Sequence, residues 1–127
     1  MRELQRQGEI EMAFLMMSSQ KSLLSIKKNS LQFEYTCKVN DVQNLKKKEA
    51  DHASHQNEIY EHIEGQEWDM ENDGVYQALV KEEERLTVEV DNLNSQIQII
   101  DAEIAAMKTM VQNDVKSATS LNLLGGG

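Results

Sequence analysis

A strict seven-residue rhythm of apolar residues runs from Tyr76 to Val115 and constrains the fold more than any other feature. Leu79, Leu86, Leu93, Ile100 and Met107 fall on one heptad position. Tyr76, Val90, Ile97, Ile104 and Val111 fall on the companion position, which Glu83 alone interrupts. A repeat of 3.5 residues keeps an apolar seam turned toward a partner helix along a left-handed supercoil. The stretch therefore demands a second helix, and it marks a protein that works by helix association.

The partner is to be sought first within the chain. From Glu9 a broad helical pattern begins, and two apolar rows run along it. One is Ile10, Met17, Leu24 and Leu31, with Phe14 and Tyr35 beside it. The other is Met12, Leu15, Met16, Leu23, Ile26, Phe33 and Cys37. Together they exceed the stripe that one partner helix can bury. This segment is thus expected to meet two neighbours, the second being another subunit or a binding partner. Met12, Met16 and Met17 fit either an ordinary core stripe or an adaptable interface, because methionine packs against irregular surfaces.

These signals predict an all-α fold, a long antiparallel helical hairpin or coiled coil that oligomerises. Residues 1–8 are polar and are expected to be disordered. Residues 9–64 form the N-terminal helix, Met-rich at its start and polar in its second half, where the apolar face thins to Val42, Leu45, Ile59 and Ile63. That second half is expected to be exposed or mobile. Gly65 ends the helix and residues 65–74 form an acidic loop, with Asp73 as the N-cap of the second helix. Residues 75–118 form the heptad helix, and 119–127 a tail whose Leu121, Leu123 and Leu124 either dock or extend the seam. A parallel dimer also suits the heptads; the glycine-bounded loop favours the hairpin.

Composition supports this and narrows function. The 127 residues include no proline, and only 5% are aromatic while 28% are charged, which suits solvated helix faces better than a globular core. A formal charge of −9 argues against nucleic acid as a partner. The short basic runs Lys27–Lys28 and Lys46–Lys48 are taken as solvated faces. Nothing approaches the roughly 18 apolar residues needed to cross a bilayer. The N-terminal region does not match the pattern of a cleavable secretory signal.

Candidate chemistry is sparse. Asp69-x-Glu71-x-Asp73-Gly74 begins like a calcium loop, but the position that needs a bidentate glutamate holds Val80, so an acidic turn is expected. His52, His55 and His62, with Asp51 and Glu58, recur on neighbouring helical turns amid polar residues and are expected to form a solvated, pH-sensitive face. Cys37 is taken as a small buried hydrophobe. Trp68 either caps the hairpin end or is exposed to a partner. No phosphate loop or nucleophile–base motif occurs in the sequence. The chain is therefore expected to be a non-enzyme without metal or cofactor.

Two segments carry a resemblance in layout. The first is Phe14-Leu-Met-Met-Ser-Ser-Gln-Lys-Ser-Leu-Leu-Ser-Ile-Lys-Lys, an apolar, Met-bearing helix that runs into polar residues. The second runs from Leu86 through Met107, Met110 and Ser117 to Leu121 and the final glycines. In this layout the chain resembles the EspA-like filament proteins of type III secretion systems. It is shorter than those proteins and has no substantial insertion between its helices. It also lacks the proline-bounded turn of the related needle subunits. The resemblance implies a self-assembling filament or appendage subunit, secreted without a cleavable signal. In that arrangement Leu79, Leu86, Val90, Leu93, Ile97, Ile100, Ile104, Met107 and Val111 close the internal seam. Met12, Leu15, Met16, Leu23, Ile26 and Phe33 then form the subunit interface. The residues alone also allow a cytoplasmic coiled-coil adaptor or secretion chaperone that binds a helical protein partner.

Overall fold

The computed structural model describes the backbone of residues 2–125 and the side chains of residues 2–117. It is an all-α helical hairpin. Helix α1 spans Arg2–Glu61, a short 3-10 turn spans Met70–Asn72, and α2 spans Gly74–Gly125. Helix formers without a proline sustain 60 and 52 residues of helix. Helices of that length hold in water chiefly by burying an apolar face on each other.

The chain divides into two compact units, Met1–Leu31 with Gln96–Gly127, and Gln32–Ser95. In the second unit Lys38 pairs with Glu89 at 3.1 Å, Lys46 with Glu83 at 3.8 Å and His52 with Asp73 at 2.7 Å. Partner numbers fall along α2 as they rise along α1, so the pairing is antiparallel. In the first unit Lys28 meets Asp101 at 2.5 Å and Val111 lies beside Ser18, Lys21 and Ser25, so the pairing there is also antiparallel.

The core consists of α2 residues. Leu86 and Leu93 in the second unit are 6% and 7% exposed, and Ile97 and Ile100 in the first are 9% and 4% exposed. Leu79 and Val90 in the second unit, and Ile104, Met107 and Val111 in the first, are half-buried. Opposite them α1 presents Ile10, Phe14, Met17, Lys21, Leu24, Lys28 and Leu31 in the first unit. In the second it presents Tyr35, Lys38, Val42, Leu45, Glu49, His52 and Gln56. This face keeps the heptad spacing throughout, but lysine stems and polar groups stand at many of its positions. Between Ser18, Ser25 and Val111 the small side chains leave an open groove of about 490 Å³ in the first unit, also lined by Lys21, Ser22 and Ile26.

Several expected boundaries differ from those observed. Residues 2–8 are helical rather than disordered, since Arg2, Glu3, Leu4 and Gln5 all favour helix and Gly8 is one weak link among them. Helix α1 ends at Glu61, three residues early, and unwinds through turns to Gly65, whose φ of +78° is the left-handed geometry that glycine adopts at helix ends. Helix α2 continues to Gly125, through most of the expected tail. Docking by Leu121, Leu123 and Leu124 falls outside the described side chains. The second half of residues 9–64 is exposed in part: Ile59 and Ile63 are exposed as expected, whereas Val42, Leu45, Glu49, His52 and Tyr60 are half-buried.

Candidate functional site

The loop end of the second unit is organised by one carboxylate. Asp73 caps α2: its Oδ1 accepts the Tyr76 N–H at 3.0 Å, and its carbonyl accepts the Gln77 N–H at 3.0 Å. Its Oδ2 accepts the Trp68 indole N–H at 3.0 Å and lies 2.7 Å from His52 Nε2. The Tyr76 amide, then His52 and Trp68, hold the Asp73 carboxyl down at about 2. With the carboxylate ionised, His52 Nε2 is the donor. Trp68 and Tyr76 meet edge to face at 5.2 Å, and His52 stacks on Tyr76 at 6.5 Å. Trp68 therefore closes the hairpin end. His52 departs from the expected solvated face, because the antiparallel fold brings it to a loop 21 residues away; His55 and His62 remain exposed. Within the acidic loop, residues Met70–Asn72 form a 3-10 turn in which Asn72 donates to Asp69.

Glu83, the interruption in the α2 heptad, finds its counterpart across the seam. It faces Glu49 of α1, and burial, then the hydrogen bond and charge of Glu83, raise the Glu49 carboxyl to about 7, against the pull of Lys46. Burial and the neighbouring Glu83 therefore favour the protonated form of Glu49 at this seam position. Among the described residues no three His, Cys, Asp or Glu side chains converge as metal ligands.

The largest unsatisfied feature is apolar. Met12, Leu15, Met16, Leu23 and Ile26 in the first unit are each 61–65% exposed, and Phe33 in the second is 72% exposed. Met12 lies two residues beyond Ile10, a rotation of roughly 200° about the helix, so this row faces away from the seam. Cys37 continues it and is exposed, not buried as expected, because α2 covers only the other face. From Met12 to Leu31 the chain contains no Asp or Glu but has Lys21, Lys27 and Lys28, within a protein of net charge −9. The row thus offers a helix-length apolar strip bordered by Lys27, with Glu9 and Glu11 one turn before Met12 and Leu15, while Lys21 and Lys28 lie on the face toward α2. A second, smaller strip lies on the outer face of α2 in the same unit: Ile99 and Met110 are 59% and 51% exposed, with exposed Ala102 and Ala106 between them. The heptads did not reveal this strip, whose short alanines give only a weak periodic signal.

No family model, curated protein or solved structure matches the chain.

Proposed function

We propose that this protein is a non-enzymatic structural subunit that self-associates through the outer row of α1. The observation that carries this reading is the exposure of Met12, Leu15, Met16, Leu23 and Ile26 while α2 occupies the opposite face of the same helix. Large apolar side chains at helical spacing are suited to another helix, and contiguous exposed apolar strips mark interaction surfaces. The setting of a secretion-type filament or appendage rests on the resemblance to EspA-like subunits. The pliable Met12 and Met16 also favour a second reading, an adaptor that holds a partner's amphipathic helix.

Sedimentation velocity across a concentration series, with negative-stain microscopy, tests the proposal. Wild-type protein is expected to assemble as concentration rises. Leu23→Asp/Ile26→Asp is expected to remain monomeric with its circular dichroism unchanged. A wild-type monomer at every concentration overturns self-association and leaves the adaptor reading. Loss of helicity in the variant assigns the row to the hairpin core instead.

A further inference from the structure

We infer that the outer row of α1 is received by the Ile99–Ala102–Ala106–Met110 face of α2 in a second copy of the chain. This rests on the self-association proposed above and adds which surface meets which.

Three observations on the first unit support the pairing. The strips match in length: Met12 to Ile26 spans roughly 21 Å of helix and Ile99 to Met110 roughly 17 Å. They match in relief. Met12, Leu15, Met16, Leu23 and Ile26 are long knobs, whereas Ala102 and Ala106 leave a shallow trough between Ile99 and Met110, allowing the helix axes to approach closely. They match in charge: Lys27 borders one strip and Glu103 the other, and neither has a salt-bridge partner among the described residues. In the inferred pairing, antiparallel docking that sets Lys27 beside Glu103 places Leu23 level with Ala106, between Ile99 and Met110.

Such a contact joins two different faces, so each added copy presents a fresh strip on either side. It is heterologous and generates a ring or an open polymer rather than a closed pair. An α1 row that paired with itself would instead stop at a twofold dimer.

Mixing two disabled variants separates these cases. Leu23→Asp/Ile26→Asp retains only the α2 strip, and Ile99→Asp/Met110→Asp only the α1 strip. Each alone is expected to be a helical monomer by sedimentation velocity and circular dichroism, and the equimolar mixture to form a 1:1 complex that grows no further. If the α2 variant assembles like wild type while the α1 variant does not, the α1 row pairs with itself; the inference falls and the proposed function stands. If both variants assemble like wild type, both fall. Charge exchange gives a second readout that spares the apolar residues and hence the fold. Lys27→Glu and Glu103→Lys are each expected to raise the half-assembly concentration by roughly fivefold, and the double exchange to restore it. A double exchange that remains as weak as the sum of the singles refutes the pairing.

Discussion

Asp73 accepts hydrogen bonds from His52, Trp68 and the start of α2, so one carboxylate ties α1, the loop and α2 together within the second unit. Trp68 is the only tryptophan, and its fluorescence reports this cluster directly. Asp73→Asn keeps an oxygen for the cap but removes the charge that binds His52 and Trp68. It is expected to red-shift Trp68 emission and lower the melting temperature. Unchanged emission would show that Asp73 does not hold the indole. Glu49 and Asp73 give opposite pH slopes. Because the folded Glu49 carboxyl lies at about 7, above its ordinary 4.5, the fold binds the extra proton and its stability declines as pH rises between those values. Because Asp73 lies at about 2, below its ordinary 3.8, the stability it adds is present above 3.8 and fades as pH falls toward 2. Thermal melts at pH 4.5 and 8 are expected to show a higher melting temperature at the lower pH, and Glu49→Gln to remove most of that difference. A Gln variant that keeps the whole difference would place its origin elsewhere.

At the scale of the helices, the two faces of α1 and the α2 seam predict opposite responses to the same truncation. Leu93→Ala removes a buried α2 side chain and is expected to cost about 2–4 kcal/mol. Leu23→Ala on the outer row is expected to change the stability of the monomer by no more than about 0.5 kcal/mol. Urea unfolding at a concentration below assembly measures both, and equal losses would mean that Leu23 belongs to the hairpin core. The α2 seam was legible in the sequence because Leu, Ile, Val and Met repeat there with one break. The hairpin could be read from that seam and the glycine-bounded loop. The inner face of α1 was hidden, because Lys21, Lys28, Lys38, Glu49, His52 and Gln56 stand at heptad positions where an apolar count sees a gap. For Lys28, Lys38, Glu49 and His52 the role emerges only with the partners across the seam, Asp101, Glu89, Glu83 and Asp73. Cys37 was misplaced for the complementary reason, since its row repeats like a core but has no helix over it.

For the whole molecule, α1 carries more apolar surface than one hairpin can cover. Met12, Leu15, Met16, Leu23 and Ile26 stay exposed on the face away from the seam, and no Asp or Glu occurs from Met12 to Leu31 in a chain of acidic balance. The proposed pairing of an α1 row with an α2 strip would bury this surplus and set Lys27 against Glu103. The most direct measurement is sedimentation velocity of wild type beside Leu23→Asp/Ile26→Asp at matched concentrations. Concentration-dependent assembly of the wild type alone, with equal helicity in both, is the predicted result. Indistinguishable sedimentation of the two proteins would contradict the assignment of this row as the assembly surface.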